Sequence, residues 1–159
     1  MNSITVSFFG HRDFNEHLRY ESKLDKIIDD IMKENDWVEF LVGRNGEFDI
    51  FVSSAVVRAK ERFDNSTCYL NLILPYVTSQ LKKYENCFLE YYDGIEICQR
   101  AEKSHFKEAF KIRNREMIDR SDIVICYVER KNGGAYHSMK YALKKGKKVI
   151  NLFESKHTL

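Results

Sequence analysis

The sequence predicts an α/β protein: a Rossmann-like three-layer sandwich, with a mainly parallel sheet of about five strands and helices on both faces. Three observations point to it. Short apolar runs rich in β-branched and aromatic residues recur along the chain. Amphipathic stretches long enough to be helices separate them. Glycine-bearing turns follow three of the apolar runs, at Gly10, Gly43 to Gly46 and Gly133-Gly134. Strands that alternate with helices in this way pair parallel and are buried on both sides.

Each element has its own signal. Residues 4–9, Ile-Thr-Val-Ser-Phe-Phe, form the first strand, and Gly10-His11-Arg12-Asp13 end it. Asn15 is placed to cap a helix in which Leu18, Leu24, Ile27, Ile28 and Ile31 recur at helical spacing. Residues 37–42 form the second strand, and Gly43-Arg44-Asn45-Gly46 the turn after it. Residues 48–63 form a helix with Ile50, Phe51, Ala55, Val56 and Ala59 on one face. Residues 68–74 are the third strand, stopped by Pro75. Residues 76–84 read as a short helix or a loop. Residues 88–97, rich in Tyr, Phe and Ile around Asp93-Gly94, hold a short strand or an irregular excursion. Residues 105–120 form a helix carrying Phe106, Ala109, Phe110, Arg113 and Met117. Residues 123–128 are the fourth strand, residues 136–145 the last helix and residues 149–153 the last strand.

The 159 residues suit one domain with a real core, taken here as a single domain over residues 1–159. The net charge of +2 gives no reason to expect nucleic acid. The run Lys144-Lys145 with Lys147-Lys148 reads as a solvated helix end favoured by the macrodipole. Cys68, Cys87, Cys98 and Cys126 form no CxxC pair and fit no zinc spacing, so neither a metal nor another cofactor is expected. Cys68 and Cys126 fall in strands and read as small buried residues. Residues 1–3 lead into a strand rather than a signal peptide, and no apolar run is long enough to span a membrane. A cytoplasmic protein with free thiols and no membrane partner is therefore expected.

A strand that runs into Gly133-Gly134 at the start of a helix suggests phosphate binding. The helix N-terminus offers unpaired N–H groups and partial positive charge, and glycine admits an anion to the backbone. All three glycine turns follow strand carboxyl ends, the edge where open parallel sheets bind ligands. Arg12 beside Gly10 suits a phosphate fork, while His11 is either structural or a ligand contact. Arg44-Asn45 either form a solvated turn or touch the ligand. Asp49 starts a helix, where the dipole alone favours a carboxylate. Asn114 is a poor residue in mid-helix, so the Arg113-Asn114 pair calls for a reason. His137 is either an exposed surface residue or an acid–base group facing the pocket. The aromatic residues from Tyr84 to Tyr92 belong to a core or an oligomer interface, or form a lid that stacks a base.

Four groups together resemble the SLOG superfamily, the Rossmann-like proteins related to Smf/DprA and to the LOG phosphoribohydrolases. They are Phe9-Gly10-His11-Arg12, then Gly43-Arg44-Asn45-Gly46-Glu47-Phe48-Asp49, then Arg113-Asn114 with Met117 and Ser121-Asp122, and Gly133-Gly134-Ala135-Tyr136 running to Tyr141-Ala142. The chain is most similar to small stand-alone members with a Gly-His-Arg motif, over roughly residues 4–152. The resemblance implies a nucleotide-derived ligand held by Gly10, His11, Arg12, Gly43, Arg44, Asn45, Gly46, Arg113, Asn114, Gly133, Gly134 and Ala135. It also implies a homo-oligomer, since related proteins often pair. LOG enzymes carry a glutamate on the helix after the glycine turn. Here Ser138 takes that place, and a hydroxyl cannot supply a carboxylate's charge to a ribosyl cation. The expected function is therefore a binding protein that senses, carries or sequesters a phosphorylated nucleoside or cyclic nucleotide. No residue is assigned a catalytic role. The alternative is a nucleotide N-glycosidase or ribosyl transferase that draws on Glu47, Asp49, Glu116 or His137, with Glu129 as a further carboxylate. A third class, a nucleic-acid-associated module like the Smf/DprA domain, is set aside on the near-neutral charge, so nucleic acid is not an expected partner.

Overall fold

The computed structural model describes residues 1–155. Residues 156–159 of the expected single domain lie outside the described residues. A sheet of six strands is formed by β1 (Ser3–Gly10), β2 (Trp37–Val42), β3 (Cys68–Leu74), β4 (Gly94–Ile97), β5 (Ile123–Tyr127) and β6 (Lys148–Asn151). Its order is β4-β3-β2-β1-β5-β6, and every neighbouring pair is parallel. Helices α1 (His17–Glu34), α2 (Glu47–Arg62), α3 (Ser79–Lys83), α4 (Glu85–Tyr91), α5 (Gln99–Glu102), α6 (Phe106–Arg120) and α7 (Gly133–Lys144) connect the strands.

The strands bury both faces, so alternate residues enter two separate cores. Val6 and Phe8 of β1 point to one side, where they meet Phe40, Leu70, Ile125, Leu24 and Ile28 of α1, and Phe51 and Val52 of α2. Phe9 points to the other, with Leu41, Ile73, Cys126, Met117 and Ile118 of α6 and Ala142 of α7. The fold is thus the expected Rossmann-like sandwich, with six strands rather than about five.

The sixth strand is β4, in the stretch the sequence left open. It is short and half-buried throughout, so no alternation of polar and apolar residues betrays it. Asp93 anchors its start. The Asp93 N–H donates to the Leu70 carbonyl at 2.9 Å, the Leu70 N–H donates to Asp93 Oδ2 at 2.7 Å, and Lys60 pairs with the same carboxylate. The aromatic run just before it divides. Phe88 and Tyr92 enter the core, and Leu89 and Tyr91 face outward.

Three residues expected on buried helix faces are exposed: Leu18, Ile50 and Phe106. Leu18 lies six residues before Leu24, about 120° around the helix from it. The buried stripe is Tyr20, Leu24, Ile28 and Ile31 instead. Asn15 does not cap α1, whose N-cap is Glu16. The last helix starts at Gly133 itself, three residues earlier than expected.

Candidate functional site

The chain begins its sheet at β1, adds β2, β3 and β4 on one side, then crosses to add β5 and β6 on the other. The switch point lies between β1 and β5. Beyond their carboxyl ends is a pocket of about 370 Å³. Such a crevice is the usual ligand position in an open parallel sheet. Into it the structure brings Gly10, His11 and Arg12 from the exit of β1, and Gly43, Asn45 and Gly46 from the exit of β2. Arg113 and Asn114 join them from α6, with Gly133, Gly134 and Ala135 from the start of α7.

Arg44 is the exception. Its guanidinium lies 4.7 Å from the centroid of the Phe88 ring, and Nη1 donates to the Tyr92 hydroxyl at 3.0 Å. It lines a separate cavity with Tyr84 and Tyr91. The neighbouring Asn45 turns the other way. With its amide oriented to satisfy both groups, Asn45 Oδ1 accepts from Arg12 Nη2 at 2.8 Å and Nε at 3.2 Å.

The glycines divide into two kinds. A Cβ on Gly10 would lie 2.1 Å from Cγ of Phe48, and one on Gly46 would lie 2.6 Å from the Arg12 backbone. A Cβ on Gly43 would lie 2.9 Å from Arg113 Nη1 and 3.2 Å from Asp49 Oδ2. Packing alone requires these three. At Gly133 and Gly134 a Cβ would meet nothing within 4 Å. Gly133 has φ of 85°, which favours glycine for conformation. Neither packing nor a left-handed backbone accounts for Gly134.

The start of α7 is also uncapped: Asn132, its N-cap, makes no side-chain capping bond. The first N–H groups of a helix lack partners within it, so this end presents donors and partial positive charge at the pocket wall. The helix α2 begins at the same pocket, with Gly46 as N-cap and again no side-chain cap.

Arg113 is buried. Its Nη1 donates to the Ile73 carbonyl at 2.9 Å, and its Nε to Asn114 Oδ1 at 2.9 Å. Burial disfavours its charge, and Asp49 offsets that cost. Burial likewise raises the Asp49 pKa, opposed by Arg113, by the Asn45 N–H that donates to Oδ2 at 2.7 Å, and by Arg12. Asn114 completes the chain by donating Nδ2 to Ser138 Oγ at 3.4 Å. Its mid-helix position is explained by these bonds.

His11 lines the pocket and also bridges two strand exits. Its Nε2 accepts from the Glu129 N–H at 3.0 Å and the Arg130 N–H at 3.3 Å, tying the exit of β1 to that of β5. Burial, then the Arg130 charge, hold its pKa below the ordinary value. Of the residues weighed for catalysis, only Asp49 lines the pocket. Glu47 is exposed, Glu116 lies 3.8 Å from Arg100 outside it, and His137 is exposed on α7.

Several pocket residues escaped the sequence. Phe110 reads only as a helix-face apolar residue and Phe48 only as part of the motif after the second strand, yet both line the wall. Asp13 and Arg130 pair at 2.9 Å across the pocket mouth. Their separation of 117 residues leaves no local signal.

Fold and site together define a Rossmann-like domain with a pocket at its topological switch point. Its structural neighbours are DNA processing proteins. That of Helicobacter pylori, described for its single-stranded DNA binding mode, superposes with a TM-score of 0.69 at 17% identity, over 98% of this chain and 68% of that one. DNA processing protein A of Streptococcus pneumoniae superposes with a TM-score of 0.63 at 14% identity, over 98% of this chain and 55% of that one. No family model matches the sequence, and no curated protein matches it. Likeness at this identity shows the fold, which is that of the Smf/DprA proteins and in keeping with the SLOG resemblance.

Two expectations are corrected by these neighbours. The first is that the bound species is a free nucleotide-derived molecule, held or cleaved. The second is that nucleic acid is not a partner. A neighbour matched along nearly the whole chain is described as binding single-stranded DNA. The net charge misled because a total says nothing of where the cations lie.

Among the described residues, no helix is long and apolar enough to cross a membrane, and no cluster of His, Cys, Asp and Glu could hold a metal.

Proposed function

We propose that this domain binds single-stranded DNA and seats a backbone phosphate at the carboxyl edge of the sheet. The observation that carries the proposal is the start of α7. It is uncapped, its Gly134 has open space where a side chain would be, and it shares a pocket with Arg12 and Arg113. Unpaired N–H groups with nearby guanidinium groups suit a phosphate and ignore base identity.

The proposed unit is the whole single domain over residues 1–159. Its Gly10-His11-Arg12 turn supports a place among the small stand-alone SLOG proteins with that motif. The four cysteines are free, and three are buried, which suits action in a reducing cytoplasm.

The test is fluorescence anisotropy with a labelled thymidine homopolymer of about 20 nucleotides, titrated at several salt concentrations. Binding that weakens with salt, and that excess unlabelled single strand competes away better than duplex, is expected. No binding at low salt refutes the proposal.

A further inference from the structure

The phosphate pocket opens into a second, larger cavity of about 780 Å³ between α6 and α7. Phe110, Asn114 and Gly134 line both. On α6 its wall carries Lys107, Lys111 and Arg115, spaced at i, i+4 and i+8 on one face. On α7 it carries Lys140 and Lys144 in the same spacing. No acidic residue lines it, and none of these five cations forms an ion pair among the described residues. Of the acids of α6, Glu116 lies near Arg100, and Asp119 accepts from the Tyr141 hydroxyl at 2.7 Å.

Aromatic rings lie between the cations. Lys140 Nζ is 5.7 Å from the Tyr136 ring centroid, and the Arg115 guanidinium is 5.0 Å from that of Tyr141. The bond to Asp119 fixes the Tyr141 ring in place. Cations that follow a backbone, interleaved with rings on which bases stack, are what a single strand needs. A free phosphate or a mononucleotide would leave most of this surface unused.

Resting on the proposed function, we infer that the strand seated at Gly134 continues into the α6–α7 groove. Lys107, Lys111, Arg115, Lys140 and Lys144 follow its phosphates, and Tyr136 stacks a base. From Lys107 to Arg115 the groove runs about 12 Å at the helical rise, the span of a short run of nucleotides. The domain therefore holds a short run of nucleotides that starts from the phosphate seated at α7.

The test uses the full chain, a labelled thymidine oligomer of about 12 nucleotides and a phosphorylated dinucleotide too short to fill the groove. Four proteins are compared with the wild type: Lys111→Ala/Lys140→Ala, Tyr136→Ala, Gly134→Asp and the charge control Lys33→Ala. The lysine pair should lower the slope of log affinity against log salt by about 1.4, at about 0.7 per neutralised phosphate. Tyr136→Ala should weaken the longer oligomer about tenfold. Both should leave the dinucleotide unchanged, and Lys33→Ala should match the wild type with either probe. Lys111 and Lys140 are exposed and Tyr136 is half-buried against the core, so thermal unfolding checks that each variant folds. If the oligomer binds the wild type and is lost in Gly134→Asp, yet keeps its affinity and salt slope in the groove variants, the groove is refuted and the phosphate site stands. If the groove variants lose binding while Gly134→Asp does not, the phosphate site is refuted and the groove stands. If the wild type binds neither probe, both fail.

Discussion

Replacing Gly134 by alanine separates the stability of the domain from its hold on DNA. A Cβ there meets nothing within 4 Å, and the residue lies in the first turn of α7 without a left-handed backbone. Alanine gives up less backbone entropy than glycine in a helix, so stability should stay level or rise by up to about 1 kcal/mol. The new methyl occupies open space at a residue that lines the phosphate pocket. It should hold a phosphate away from the N–H groups of α7. Losing one hydrogen bond to a charged group costs about 1.5–3 kcal/mol, or about a tenfold to a hundredfold loss of affinity. Thermal unfolding and oligonucleotide anisotropy on the same preparation read the two effects. Undiminished affinity in a folded Gly134→Ala protein would refute the role given to the start of α7. A protein that loses stability and affinity together would show that Gly134 is needed for packing, contrary to the open space around it.

Other predictions follow from neighbouring contacts. Gly10→Ala should destabilise by about 1–3 kcal/mol, because its Cβ would lie 2.1 Å from the Phe48 ring. In a double-mutant cycle with Phe48→Leu the two changes should be less costly together than their sum, and strict additivity would argue against the clash. His11 has a lowered pKa in the folded state, so the unfolded chain binds the proton more readily. Stability should therefore fall as pH drops through the ordinary histidine value of 6.5, and His11→Gln should flatten that dependence in melts across pH. Arg113→Met should cost about 3 kcal/mol in chemical denaturation, since it strands the Ile73 carbonyl and leaves Asp49 without its buried cation. A variant as stable as the wild type would mean that Asp49 simply takes up its proton.

Most of the sheet was legible because strands buried on both faces are continuous apolar runs, as Phe40-Leu41-Val42 and Ile123 to Tyr127 show. The pocket was legible because the exits of parallel strands share an edge. What sequence could not give was the direction of each side chain. Arg44 and Asn45 are adjacent in one turn, yet one joins the Phe88–Tyr92 cluster and the other Arg12. His11 reads in sequence as structural or a ligand contact, and its bonds to the N–H groups of residues 129 and 130 carry no local sequence signal. The groove had a signal, the cations of α6 at i, i+4 and i+8. Of the adjacent lysines near the chain's end, Lys144 reaches it, while Lys145, Lys147 and Lys148 do not line it.

Asp49 poses the sharpest question about this pocket, because it is a carboxylate beside the place given to a phosphate. Its charge is the cost of keeping Arg113 inside the protein, and Gly43 leaves the room in which the two approach. Asp49→Asn should keep the Asn45 N–H satisfied, since an amide oxygen accepts the same bond. It should leave Arg113 short of a counter-charge and so lower stability. It should also remove a repulsion worth about 1 kcal/mol for one screened charge, and DNA affinity should rise a few-fold. Burial raises the Asp49 pKa above the ordinary 3.8, so lowering the pH should neutralise this carboxyl before a free aspartate and narrow the difference between the two proteins. Opposite signs in denaturation and anisotropy are thus expected from one substitution. If affinity falls instead, the carboxylate contacts the strand itself, accepting from a base or a sugar, and its place in the site is recognition rather than support of Arg113.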